Sequence, residues 1–568
     1  MTMREASNCV GTAKGPAETP HEYTFITPDS DETVKNGEFV YYEASVEGQT
    51  RQIVGRVAQR RPVRLYPDVF MADPRVPPAQ LAAMLGHTNV NDELFEVTVR
   101  ILGFYDPSLG DFVNPRLPPR AGRPIYLCSD AMLSKILSKR KAGQQGSALI
   151  GSLLSRSPGA VPIAIDASAF TSTHLAIIAG TGAGKSYLAG VLIEELMKPH
   201  NRGCVLVIDP HSEYGTLEEI ANRPEFIDEV DGYRATVRIF KPDQVKVRVN
   251  SLNMGDFRCL LPELSERQEF VLRQAVSEMN RTRKQNWGLN ELMMAVRRQG
   301  YKEDQEHPGA GEQPDRLADS AEAVLWRLES RIRHSPVFSD SEQLSLSSLY
   351  SPGQCTVLQL SEIEEKQQQV IVATILRRLN KARVDTEQGR ADENSPDYLP
   401  YPTFTLIEEA HHFAPSSADA VTTNILKTIL AEGRKFGVAV GLISQRPGKL
   451  DADVLSQCMT QFILRIVNPV DQARVSESIE SVGRDLLAEL PALSKGQVII
   501  AGSAVNTPIL CRVRKRLTSH GAESKDAPSI WVKYASHEAA QRRQRDHALP
   551  LDLLKPHGMR TPQPTDED

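Results

Sequence analysis

The 568-residue chain lacks the features that mark several large protein classes. Its seven cysteines stand far apart, at 9, 128, 204, 259, 355, 458 and 511, and no two form a CxxC pair. That argues against a disulfide framework and against a zinc site, and it suits a reducing, cytoplasmic compartment. No stretch approaches the roughly 18–20 apolar residues of a membrane-spanning helix; GVAVGLIS (437–444) is typical of the longest runs. The opening residues, MTMREASNCVGTAKGPAE, have no apolar core, so a signal peptide is not expected. Positive charge is not in surplus either, since 66 Lys and Arg face 72 Asp and Glu. A nucleic acid would therefore have to be met in a local basic channel, because no global field draws it in. There is no internal repeat.

With 40% hydrophobic and 24% charged residues, the composition is that of a globular protein, and the length suggests roughly three or four domains. Residues 1–20 read as a disordered leader. Residues 21–145 read as an all-β barrel: GEFVYYEASV, RQIVGRVAQRRPVRLY and ELFEVTVRILGFY are rich in Val, Tyr and Phe, with turn residues between them. Within 129–172 the texture is that of a connector with one short helix over 131–140. Residues 146–249 and 346–525 read as two parts of an α/β core with a parallel sheet, on strands such as LAIIA (175–179), CVLVID (204–209), TFTLI (403–407), VAVGLIS (438–444) and FILRIV (462–467). Between them, 250–345 shows helical spacing and reads as an inserted helical subdomain. Residues 526–568 read as a tail.

The strongest signal is LAIIAGTGAGKSYLAGVLIEELM (175–197), where an apolar strand enters a glycine-rich loop that opens into a helix. Gly180, Gly182 and Gly184 let backbone N–H groups approach phosphate oxygens, and the helix start adds partial positive charge. Lys185 can reach the β- and γ-phosphates, and the Ser186 hydroxyl can ligate Mg²⁺. The candidate nucleotide-binding residues are thus Gly180, Thr181, Gly182, Ala183, Gly184, Lys185, Ser186 and Tyr187, with ATP and Mg²⁺ as cofactors. The first glycine of the usual G-x-x-x-x-G-K-S pattern is Ala179 here.

A second signal is FTLIEEAHHF (404–413), a strand that runs straight into Glu408 and Glu409. Burying ionised carboxylates costs several kcal/mol each, roughly, unless something compensates. A magnesium-bound nucleotide would supply that compensation, with Glu408 in the metal shell and Glu409 polarising the attacking water. In EGRKFGVAVGLISQRPGKLD (432–451), Gln445 ends a strand and is placed to meet the γ-phosphate or the lytic water, and Arg434 is a candidate for neutralising transition-state charge. Asp209, at the end of CVLVID, is either a further site residue or a loop cap. His411 and His412 read as packing and solvated residues rather than metal ligands.

Taken together, IIAGTGAGKS, VLVIDPHSEYG, TLIEEAHHFAP, EGRKFGVAVGLISQRP and LSKGQVIIAG resemble the HerA ATPases of the FtsK/HerA superfamily, and the β-rich N-terminus resembles their barrel. The resemblance implies a RecA-like P-loop core, a homo-hexameric ring with nucleotide at subunit interfaces, and translocation of double-stranded DNA. It also implies a partner on the barrel face, a nuclease or a SIR2-like effector, in DNA processing or antiphage defence. On the family's motif positions stand Lys185, Ser186, Glu409, Gln445 and Arg434; Glu408 replaces the usual Asp. Two other readings compete with the motor: a nucleotide-gated hexameric scaffold for an effector enzyme, and a conjugative coupling ATPase.

Overall fold

The computed structural model of the chain describes residues 9–16, 21–28, 33–63, 94–284, 286–303, 312–314, 317–417, 420–479, 482–521 and 526–536. Residues 1–8, most of the linker 307–315 and the tail beyond 536 lie outside the described residues. The chain divides into residues 1–519 and 520–568. In the second unit, residues 527–536 are helical.

Seven strands form the N-terminal part of the first unit: β1 (Cys9–Pro16), β2 (Glu22–Thr27), β3 (Phe39–Val46), β4 (Gln49–Pro62), β5 (Phe95–Asp106), β6 (Asp111–Val113) and β7 (Pro124–Leu127). Their order is β2-β1-β7-β3-β4-β5-β6, and β2 also pairs with β5, so six strands close an antiparallel barrel with β6 hanging from β5. Closure leaves the six strands no free edge. Tyr23, Phe25, Val40, Tyr42, Val97 and Val99 fill the interior on the alternating positions expected of such strands. Strand β1 lies inside the stretch expected to be a disordered leader. CVGTAKGP has two glycines and a proline, so it carries little strand propensity of its own; pairing with β2 and β7 supplies what propensity does not.

The core is a single sheet. Its strands are β8 (Ser147–Leu153), β9 (Pro162–Asp166), β10 (Leu175–Ile178), β11 (Cys204–Asp209), β12 (Thr236–Phe240), β13 (Gln354–Gln359), β14 (Thr403–Ile407), β15 (Val438–Ser444), β16 (Thr460–Ile463), β17 (Gln497–Gly502) and β18 (Ile509–Val513). They run in the order β12-β13-β11-β14-β15-β10-β16-β17-β18-β8-β9. From β12 to β16 every pairing is parallel, and from β16 to β9 every pairing is antiparallel. The stretch expected to be a connector therefore supplies two sheet strands, β8 and β9, after a short helix α1 (Asp130–Ile136). Strand β16 ends at Ile463 rather than 467 because the Arg465 carbonyl turns to accept from Gly180 N at 2.8 Å.

Strands β10, β11, β14 and β15 are buried along their whole length. Alternate residues serve two cores: Leu206 and Ile208 belong to one, Val205 and Val207 to the other. The Val205 side is covered by helix α2 (Lys185–Met197) through Leu188, Leu192 and Leu196. The Leu206 side is covered by the helical insertion, where α3 (Glu266–Thr282), α4 (Leu289–Gly300) and α5 (Ala318–Leu328) contribute Val271, Leu292 and Val324. Helix α6 (Glu365–Glu387) and helix α7 (Thr423–Phe436) complete that side with Ile371 and Leu426. Helix α3 starts where Ser265 and Gln268 form a capping box, and its apolar positions repeat on one face.

The barrel meets the core through apolar packing, with Phe39 and Val54 in one cluster with Ile150 and Ile163, and through charge. Asp485, on the short helix Arg484–Leu487, lies 2.7 Å from Arg56 Nη2 and 2.9 Å from Arg100 Nη1, both barrel residues. Arg56 also donates to the Pro508 carbonyl at 2.8 Å.

Candidate nucleotide site

Between β10 and α2 the backbone takes conformations that side chains resist. Gly182 and Gly184 have φ of 74° and 102°, a region that L-residues seldom enter, and a Cβ on Gly180 would lie 3.0 Å from the Arg465 carbonyl. Ala179 is buried at the strand end, outside the left-handed region, so its methyl group fits where the usual pattern has glycine. Helix α2 then begins at Lys185, with the first amides of the helix open at the loop.

The sheet order decides what meets this loop. Strand β15 separates the phosphate-loop strand β10 from the acid-bearing strand β14, and all three run parallel. The carboxyl ends of all three strands therefore open on one edge. There Lys185 Nζ lies 2.8 Å from Glu408 Oε1 and 2.8 Å from Glu409 Oε1. Gln445, just past β15, has its Oε1 3.4 Å from the Thr181 hydroxyl. Ser186 Oγ lies 3.2 Å from Glu408 Oε1 and 2.5 Å from Glu213 Oε2. Lys185, Ser186, Glu408, Glu409 and Gln445 are thus brought together around the loop.

Glu408 still belongs to the ladder, donating its amide to the Ile208 carbonyl at 3.1 Å. Glu409 leaves it with φ 49°, a left-handed conformation that costs a non-glycine residue about 1–2 kcal/mol. Both side chains are buried, and Glu408 Oε2 and Glu409 Oε2 make no hydrogen bond. Burial pushes the Glu408 carboxyl up to about 7, although Lys185 pulls the other way. Burial alone would depress the Lys185 ammonium, but Glu408 and Glu409 outweigh it and hold its pKa above the usual lysine range. His411 lies with Nδ1 3.3 Å from Glu409 Oε2; burial, with His412 adding to it, brings its pKa down to about 4, so the ring is neutral near pH 7. His412 is more exposed and pairs with Glu365 at 3.1 Å.

These residues fit a divalent cation. The buried Glu408 Oε2 makes no hydrogen bond, Glu409 Oε2 has the His411 ring beside it, a serine hydroxyl stands next to Glu408, and the site carries more carboxylates than cations. Among the described residues no three acidic, histidine or cysteine side chains form a ready-made metal cage. Mg²⁺ is bound through one or two carboxylates plus waters and substrate phosphates, which the Ser186 and Glu408 pair would allow.

Other predicted residues fall elsewhere. Arg434 is exposed on the last turn of α7, before β15 begins, whereas the loop and the acids follow their strands. The seven residues of β15 separate Arg434 from this edge by about 20 Å, so it does not reach the nucleotide site of its own chain. The Tyr187 hydroxyl accepts from the Arg516 amide at 2.7 Å. Asp209 is a cap: its carboxylate accepts from Glu213 N and Tyr214 N, both at 3.0 Å.

Sequence reasoning missed Glu213. Its local signal was the Asp209 cap four residues earlier, which returns the chain toward the strand ends. It also missed what holds α2 in place: Glu194 and Glu195 are buried in that helix and pair with Arg514 at 2.9 and 2.8 Å.

Among known proteins, the family described as "Helicase HerA, central domain" matches residues 148–379. The DNA double-strand break repair helicase HerA of Pyrococcus furiosus is 31% identical over 457 residues, covering 74% of this chain and 78% of that protein. Probable helicase MJECL08 of Methanocaldococcus jannaschii is 30% identical over 456 residues, covering 75% and 80%. Of solved structures, VirB4 of Thermoanaerobacter pseudethanolicus aligns with a TM-score of 0.44 at 13% identity, covering 66% of this chain and 97% of that one. With the phosphate loop and paired acids in place, the chain belongs to the HerA helicase family and is a P-loop ATPase.

Proposed function

We propose that this chain is an ATP-driven motor that moves double-stranded DNA as a homo-hexameric ring. The observation that carries the proposal is Lys185 held between Glu408 and Glu409 at the mouth of the glycine loop, with Gln445 beside Thr181. The DNA part of the reading is supported by relatives named as DNA double-strand break repair helicases.

In this reading Lys185 leaves the acids for the β- and γ-phosphates when ATP arrives, and the amides of 180–186 hold the remaining oxygens. Ser186 and Glu408 would hold Mg²⁺, and the chemistry it would supply there is charge neutralisation. Glu409 orients and deprotonates the attacking water, and Gln445 contacts the γ-phosphate side. Arg434, out of reach of its own site, serves the nucleotide of the adjacent subunit. A nuclease or effector partner docks on the barrel, in DNA processing or antiphage defence.

The test is ATP turnover with and without duplex DNA. The motor reading expects duplex to raise turnover several-fold, in a salt-dependent manner. If duplex leaves turnover unchanged and a co-purifying partner alters it, the chain is instead a nucleotide-gated scaffold for that effector.

A further inference from the structure

Glu213 has no role in the scheme above, yet it makes the shorter of the two contacts to the Ser186 hydroxyl. Its Oε2 is 2.5 Å from Ser186 Oγ, against 3.2 Å for Glu408 Oε1. A hydroxyl has one proton and two lone pairs. The closer carboxylate takes the proton, so the lone pairs of Ser186 are left for another partner, and Glu408 keeps an oxygen with no hydrogen bond.

The position of Glu213 is built into the fold. Asp209, fully buried at the end of β11, accepts from the amides of Glu213 and Tyr214. Ser212 takes φ 58° between them, and its hydroxyl bonds to that of Ser361 at 2.9 Å. Tyr214, buried at 1% exposure, follows Glu213 and has Ser186, Glu408 and Glu213 as neighbours. A strand end, a capped turn and a buried ring thus hold one carboxylate against the residue that would bind the metal.

We propose that Glu213 is a positioning residue for the metal that accompanies the nucleotide. It accepts a hydrogen bond from the Ser186 hydroxyl, leaves the hydroxyl lone pairs for the cation, and adds a carboxylate that makes nucleotide uptake depend on that cation. The proposal rests on the nucleotide reading above. Without a divalent ion, Glu213 only repels a triphosphate.

The test uses the full chain with a non-hydrolysable ATP analogue, reading Mn²⁺ affinity by electron paramagnetic resonance and metal-free analogue affinity by calorimetry in EDTA. Glu213→Ala should weaken Mn²⁺ about tenfold, the lower end for an outer-shell partner. Its metal-free analogue affinity should be unchanged or tighter. Glu213→Gln keeps an acceptor for the hydroxyl and should fall between wild type and Glu213→Ala; being nearly isosteric, it carries the test if the alanine variant misfolds. Mn²⁺ affinity equal to wild type in the variants overturns the proposal. So does an equal loss of metal-free binding, which would mark Glu213 as structural. Wild type that takes up no analogue at all would instead refute the nucleotide reading.

Discussion

Lys185 Nζ and Glu408 Oε1 are 2.8 Å apart, so the lysine of the glycine loop is the cation that faces this buried acid. Lys185 offsets part of the burial cost of the acidic doublet, and under the proposed function a metal ion would take over that part when nucleotide binds.

Removing the lysine should therefore damage the empty protein as well as its binding. Lys185→Ala leaves Glu408 and Glu409 buried without a counter-charge, a loss of about 3 kcal/mol at pH 8 by analogy with broken buried pairs. Protonation of Glu408 relieves this, so the deficit in thermal midpoint should shrink at pH 6. Equal deficits at the two pH values would contradict the pairing. Nucleotide affinity should fall at both.

Binding should also release a proton. The Glu408 carboxyl is raised to about 7 by burial, so the group's contribution to stability is full below pH 4.5 and is lost as pH rises through 7. Near pH 7 part of the population carries this proton, and Mg²⁺–nucleotide binding should expel it. Calorimetry in buffers of different ionisation enthalpy should find a fraction of a proton released at pH 7 and almost none at pH 9. Glu408→Gln should abolish the release.

The barrel clamp makes a separate prediction. Arg56 is 5% exposed and finds its carboxylate only through Asp485, which Arg100 also approaches. Asp485→Ala leaves a buried guanidinium without its acid, at a cost of about 3–5 kcal/mol. Thermal unfolding should then begin earlier than in wild type, whereas Asp485→Glu should recover part of the loss. An unchanged midpoint in the alanine variant would mean that apolar contacts hold the barrel.

Much of this architecture is legible in the residues, for physical reasons. Strands such as Cys204–Asp209, Thr403–Ile407 and Val438–Ser444 are buried on both faces, so they read as apolar runs with sharp ends. Strands β8 and β9 interrupt their apolar residues with Ser, Gly and Pro, and they hold their place toward the sheet edge by pairing with β18 and with each other. For Arg434 the sequence leaves open whether it serves its own subunit or a neighbour; it precedes its strand, whereas the phosphate loop follows a parallel neighbour, so within one chain the two occupy opposite edges. Glu213 was hidden because only the fold brings residue 213 to residue 186.

The account depends most on Glu409 acting upon water at a site that holds ATP. Paired measurements on Glu409→Gln, ATP–Mg²⁺ affinity by calorimetry and single-turnover hydrolysis, test this directly. Affinity should stay within about threefold of wild type while hydrolysis falls by about 10²–10⁴. Hydrolysis at the wild-type rate, or loss of ATP binding in step with it, would contradict the account.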